Sequence, residues 1–171
     1  NNKVIYTLAS FYTWIIRGTP MLLQLFFFYY GLPFVGIELE PMTAAIIGLS
    51  LNSGAYMAEI IRGGILAVDK GQFEACKALG FTYGKTMTRV VLPQTIRILI
   101  PPVGNEFITM LKDTSLVSAI AMEELMRAAQ QIYSANFRPM EPFFIAACIY
   151  LALTTVFTTL FSVWEKKLSR Y

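Results

Sequence analysis

Of the chain's 171 residues, 56% are hydrophobic and only 15% are charged, against about 25% charged in an ordinary soluble domain. The apolar residues gather into blocks of bilayer length, which excludes a water-soluble globular domain. Histidine is absent, which removes the commonest general base, the usual zinc ligand and every imidazole-dependent triad. The net charge of +3 is informative only through where the cations lie relative to the apolar blocks.

Residues 1–16 have neither the charged n-region nor the small-residue cleavage site of a signal peptide, and the chain does not begin with Met, so an incomplete amino terminus is expected. Tyr6, Leu8, Phe11, Tyr12 and Ile15 recur at helical spacing, which reads as an interfacial helix leading into Arg17-Gly18-Thr19-Pro20. Thr19 can cap the next helix and Pro20 suits its first position. Gly18 to Ile37 then runs 20 residues without a charge, the first expected span. Its aromatic run Phe26-Phe27-Phe28-Tyr29-Tyr30 fits an interfacial belt or helix packing better than a ligand cage. Gly31, Pro33 and Gly36 end it, and Glu38, Glu40 and Pro41 make an acidic turn.

Pro41 to Ala58 is the second expected span, 18 residues without a charge. Its Ser50, Gly54 and Ala58 form a small-residue stripe that another helix backbone can approach. Residues 68–97 are the most hydrophilic stretch, punctuated by Gly71, Gly80, Gly84 and Pro93 into two short helices. Ile98 to Met122 is apolar apart from Pro101, Pro102, Glu106, Lys112 and Asp113. Each of the three charges costs roughly 2.5 to 3.5 kcal/mol at a bilayer centre, while about a dozen strongly apolar residues return roughly 0.3 to 0.6 kcal/mol each. That segment therefore needs a bundle or a dimer around it. Glu123 to Arg138 reads as an amphipathic external segment, and Pro142 to Trp164, 23 uncharged residues, as the last span, with Trp164 an interface anchor. Cys76 and Cys148 suggest no disulfide framework and read as reduced and structural.

With the first span running outward, Lys3, Arg17, Arg62, Lys70, Lys77, Lys85, Arg89, Arg97, Lys166, Lys167 and Arg170 lie on the cytoplasmic side. Arg127 and Arg138 lie outside and Lys112 is buried, so the positive-inside bias puts the hydrophilic loop and the carboxyl terminus in the cytoplasm.

Transport of a zwitterion needs an ammonium acceptor and carboxylate donors near mid-membrane. Asn52, Tyr56 and Glu59 fall at i, i+4 and i+7 on one helical stripe, and Glu106 and Asp113 repeat at seven residues. Together with Asn105, Lys112, Thr114 and Ser115 these are the candidate translocation-path residues. Asp113-Thr114-Ser115 can interrupt the helix, with Ser115 capping a following segment whose positive end faces a substrate carboxylate. The bland readings are an edge ion pair between Glu59 and Arg62, a buried structural pair between Lys112 and a carboxylate, and a role in gating rather than binding.

Glu74-Ala75-Cys76, three residues, Gly80, nine residues, Val90, one residue and Leu92-Pro93 together resemble the EAA signature of ABC importer permeases, with Cys76 standing for Ala and Val90 for Ile. Gln72 to Leu79 can form a short helix stopped by a left-handed Gly80, and Thr82 can cap a second helix reaching Val91. A loop helix lying idle on the surface is the plain alternative. Arg17-Gly18-Thr19-Pro20 with Gln24, Ala55 to Gly64, Gly71-Gln72, Leu92-Pro93-Gln94, Pro101 to Phe107 and Leu111 to Val117 are similar to polar amino acid permeases of the histidine/glutamine type, over essentially the whole chain.

That resemblance implies an all-α polytopic bundle, the transmembrane domain of a type I ABC importer, spanning residues 1–171 as one domain with a coupling loop at 68–97. It implies four of the family's five spans, the first being missing. Gln72, Glu74, Ala75, Ala78, Leu79, Gly80, Leu92 and Pro93 are the positions matching the family's ATPase contact. No Gly-x-x-x-x-Gly-Lys-Ser/Thr motif occurs, so the chain is no enzyme and holds no cofactor; ATP and Mg would sit on two partner ATPase subunits. The further implied partners are a second permease, identical or paralogous, an extracytoplasmic amino-acid-binding protein, a polar amino acid and the lipid bilayer of a prokaryotic plasma membrane, with no nucleic acid. The rival is an ATP-independent channel or secondary transporter in which Glu106, Lys112 and Asp113 relay ions or protons; it leaves the loop signature unexplained. A membrane enzyme is disfavoured without histidine or metal-ligand spacing.

Overall fold

The computed structural model describes residues 3–168, which are predominantly helical with no strand among them. Arg170, counted above among the cytoplasmic cations, lies outside the described residues, as do the first two residues of the expected interfacial helix.

α1 (Lys3–Arg17) is followed by α2 (Met21–Phe26), a π-turn (Phe27–Gly31) and a 3-10 turn (Leu32–Val35). The break falls where the expected interfacial helix gives way to the first span, with α1 and Met21–Val35 meeting at 103°, but the span itself passes from α-helix through π and 3-10 turns. The cause is local. Pro20 is extended and precedes α2 as its cap, its carbonyl accepting from the amides of Leu23 and Gln24, while the Thr19 hydroxyl turns back to the Ile15 carbonyl at 2.8 Å. Thr19 thus closes α1 instead of capping α2, and Pro20 lies just before the first helical position. A left-handed Gly36, φ +81°, ends the 3-10 turn.

α3 (Pro41–Leu66) continues two turns beyond the expected Ala58. α4 (Lys70–Ala78) starts at Asp69, whose carboxylate accepts from the Gly71 amide. α5 (Tyr83–Thr86), a π-turn (Met87–Val91) and α6 (Leu92–Asp113) follow one another without a break. The second short helix expected to stop at Val91 is thus the foot of a longer one, and Pro93 ends nothing. A proline cannot bond back to the fourth carbonyl before it and crowds that group; the wider π-turn ahead of Pro93 relieves the crowding, as the π-turn Phe27–Gly31 does ahead of Pro33.

α6 gives way at Thr114 to a 3-10 segment (Thr114–Ile120), so Ile98 to Met122 is not one helix. α7 (Leu125–Asn136) is capped by Glu124, whose carboxylate accepts from the amides of Met126 and Arg127 at 2.8 and 2.6 Å and from the Tyr150 hydroxyl at 3.0 Å. α8 (Met140–Leu168) overruns the expected Pro142 to Trp164 at both ends.

α3 and α8 are long and apolar enough to cross a membrane, and the bent α1–α2 pair counts as a third if taken as one span. α6 has 22 residues, about 33 Å at 1.5 Å per residue; it packs against α3 and α8, and its Glu106 and Asp113 are half-buried. The α6–α8 contact is close: a Cβ on Gly104 would fall 2.9 Å from the Phe161 ring. The tightest apolar core joins α2, α3 and the 3-10 segment through Met21, Leu25, Ala44, Ala45, Val117 and Ile120. The small-residue stripe works differently from expectation. Ser50 and Ala58 are exposed, and Gly54 makes room for the Tyr12 hydroxyl, which donates to the Leu51 carbonyl. Cys76 is buried on α4, Cys148 is exposed on α8, and both are free thiols.

Candidate functional site

The coupling-loop residues form a compact turn built from local signals. Gly80 takes φ +72°; its amide donates to the Lys77 carbonyl at 3.0 Å and the Phe81 amide to the Cys76 carbonyl at 2.9 Å, closing α4 with the paired bonds of a glycine C-cap. Thr82 caps α5 by accepting from the Lys85 amide. Cys76 faces inward, whereas Gln72, Glu74, Ala75, Ala78, Leu79 and Gly80 are all exposed. Leu79, a large apolar side chain, is 74% exposed on this face. Leu92 and Pro93 are exposed at the start of α6.

The path residues separate into groups. Asn52 and Tyr56 of α3 and Glu106 and Asp113 of α6 line one cavity of about 270 Å³, closed by Thr19, Pro20 and Met21 at the α1–α2 elbow and by Thr109. No cationic side chain lines it. The seven-residue repeat brought Glu106 and Asp113 to one face, and Thr109, three residues after one and four before the other, could have been read from the same spacing.

Asn105 and Lys112 each precede a cavity carboxylate by one position, and the 100° step of a helix turns them away. Asn105 lies in the groove between α6 and α8 with Phe161 and Glu165, and Lys112 is exposed, so the buried Lys112 pair does not form. Thr114 is exposed and its hydroxyl donates to the Leu111 carbonyl at 2.6 Å. The interruption after Asp113 is present, but Ser115 does not cap it: Ser115 lies inside the 3-10 segment, where its carbonyl accepts from the Ser118 hydroxyl at 2.8 Å.

Glu59 lies one turn along α3, outside this cavity. Both its oxygens accept from Arg62, at 2.7 to 3.2 Å, and Arg17 approaches to 3.5 Å while lying 5.3 Å from the Tyr56 ring centroid. The edge ion pair is thus formed, with Arg17 as a second partner that sequence spacing could not supply.

Gln24 is the residue that organises the cavity wall. It is buried, and its amide nitrogen donates to the Ile16 carbonyl, the Thr19 carbonyl and the Thr19 hydroxyl at 2.7, 3.1 and 2.9 Å. Its oxygen accepts from Asn52 at 3.1 Å. One side chain therefore fixes the elbow and orients Asn52. A neighbouring cavity of about 320 Å³ beside Leu23 and Phe27 is lined by no charged group and offers a zwitterion nothing.

Residues 1–170 match the family described as "Binding-protein-dependent transport system inner membrane component". The chain belongs to this family. This inner membrane component is 44% identical over 162 residues to the arginine transport system permease protein ArtQ of Bacillus subtilis (strain 168), covering 94% of this chain and 74% of that protein. It is 46% identical over 163 residues to the L-cystine transport system permease protein TcyB of the same organism, covering 95% and 70%. To the glutamine transport system permease protein GlnP of Escherichia coli (strain K12) it is 41% identical over 156 residues, covering 90% and 71%. Among solved structures, "Crystal structure of an amino acid ABC transporter with histidines" superposes with a TM-score of 0.94 at 45% identity, covering 98% of this chain and 78% of that one. An inward-facing MetNI methionine ABC transporter shares the fold, with a TM-score of 0.79 at 19% identity and coverages of 98% and 77%. The fold is that of a type I ABC importer transmembrane domain, and the chain is a transporter component whose ATPase is a separate subunit.

Proposed function

We propose that this permease subunit carries polar amino acids with a cationic side chain, and that the cavity between the α1–α2 elbow, α3 and α6 is their binding site. One observation carries the reading: two carboxylates, Glu106 and Asp113, share a cavity lined by no cation. A carboxylate left uncompensated at membrane depth is costly and is kept where a pathway needs it. Tyr56 supplies an aromatic wall for a cation, and Asn52, steadied by Gln24, a hydrogen-bonding amide. Thr114 and Ser115 act through the end of α6 and not as ligands.

The exposed face of α4 with Glu74, Leu79 and Gly80 is the seat for the ATPase. Two ATPase subunits holding ATP and Mg, a second permease, identical or paralogous, and an extracytoplasmic binding protein complete the importer. The loop and the carboxyl terminus face the cytoplasm, in keeping with the placement of Lys and Arg. ATP binding closes the ATPases and moves α4, α5 and α6 carry that displacement to the cavity, and hydrolysis resets it.

The test is ATP-dependent uptake of labelled arginine, lysine, histidine, glutamine and cystine into vesicles holding the permease with its ATPase and binding protein. Uptake of the cationic members that requires ATP and is lost in Glu74→Arg, with the complex still assembled, is the expected result. Uptake that continues without ATP and ignores Glu74→Arg would overturn the coupling assignment, and uptake confined to neutral amino acids would overturn the substrate class.

A further inference from the structure

We infer that Arg17 and Glu59 form a second subsite, which holds the α-carboxylate and α-ammonium of the amino acid whose side chain occupies the Glu106–Asp113 cavity. The inference rests on the substrate class proposed above. Tyr56 lines that cavity and also an adjoining one of about 420 Å³, in which Arg17 and Glu59 face each other. Asn52, Tyr56 and Glu59 follow one stripe of α3, so the two cavities succeed each other along about 10 Å of helix, a span matched by an extended amino acid with a long cationic side chain.

The pairing within the second cavity is uneven. Glu59 is held closely by Arg62, with contacts of 2.7 to 3.2 Å, but Arg17 reaches it only at 3.5 Å, and Arg17 makes no closer polar contact among the described residues. A guanidinium carries five donors in a planar fork suited to a carboxylate. Arg17 therefore has unused donors, presented beside the ring that walls both cavities. An α-amino acid head group brings a carboxylate to the Arg17 fork, while its ammonium meets Glu59 beside the contacts that Glu59 keeps with Arg62. The side-chain cation, laid across Tyr56, then reaches Glu106 and Asp113.

The test is equilibrium binding to the purified permease–ATPase complex without its binding protein, comparing L-arginine with agmatine, which keeps both nitrogen groups and lacks the carboxylate. The wild-type complex is expected to bind L-arginine at least tenfold tighter than agmatine. Arg17→Gln should bring the two within threefold by weakening L-arginine alone, whereas Glu59→Gln should weaken both ligands alike and leave the ratio standing. Arg17→Lys, which keeps the charge and loses the fork, should lower the ratio to an intermediate value and serves where Arg17→Gln fails to assemble. A tenfold preference that survives at Arg17, or a wild type that binds both ligands equally, overturns the subsite and leaves the acidic cavity standing. A wild type that binds neither overturns the substrate class, and the subsite with it.

Discussion

Glu59 and the pair Glu106 and Asp113 are carboxylates on apolar helices, and the structure treats them in opposite ways. Glu59 draws on two arginines, Arg62 closely and Arg17 at longer range. Glu106 and Asp113 share their cavity with an amide, a phenol and two threonines but with no cation. A charge inside an apolar helix is thus no functional signal by itself; what separates the two cases is whether a cation lines the same cavity as the carboxylate.

The most severe way to break this contrast is to neutralise the cavity. Glu106→Gln combined with Asp113→Asn is expected to cut uptake of arginine and lysine by roughly 100-fold, since losing a buried charge partner weakens binding by several kcal/mol. The melting temperature of the same complex should hold or rise, because an unpartnered charge is harder to shelter from water than an amide. A fall of several degrees would show that these carboxylates hold the helices together and would erase the distinction from Glu59.

Next in size is Gln24→Leu, which strands the Asn52 amide and the Ile16 and Thr19 carbonyls. It should destabilise the chain by about 1–3 kcal/mol, read by thermal unfolding, with weaker arginine binding as Asn52 loses its brace. Gly80→Val imposes a β-branched side chain on a left-handed backbone, at a cost of about 1–2 kcal/mol; uptake should fall while equilibrium binding of arginine stays unchanged, which separates coupling from the cavity. Arg62→Gln should do least, changing uptake by no more than roughly twofold, as expected for an exposed ion pair whose carboxylate keeps a second partner.

What could be read in the sequence follows the range of the forces involved. Asp69, Gly80 and Thr82 act on neighbours within five residues, so the glycine stop and the Thr82 cap stand where the pattern puts them. Helical spacing delivered Asn52, Tyr56, Glu106 and Asp113 to one cavity and mistook Asn105 and Lys112, because a run of polar residues does not say which of them faces inward. The break at Thr19 and Pro20 was legible, but its bracket was not: Gln24 acts across eight residues to Ile16 and across 28 to Asn52. The π-turns were hidden for a different reason. Pro33 and Pro93 read as stops, yet each is accommodated by a widened turn just before it.

The unbroken run from Tyr83 to Asp113 has a mechanical meaning. Its 31 residues make a rod roughly 45 Å long, with its foot at the exposed turn beside Gly80 and its head bearing Glu106 and Asp113. On the proposed coupling, a rod pivoting where α3 and α8 pack on it would convert a small sideways push at the foot into an opposite swing of the head. The regular hydrogen-bond ladder is interrupted at the π-turn below Pro93 and at the Pro101-Pro102 step, so the stiffness kept across those points would set how faithfully a stroke at one face of the membrane becomes a change in the shape of the cavity.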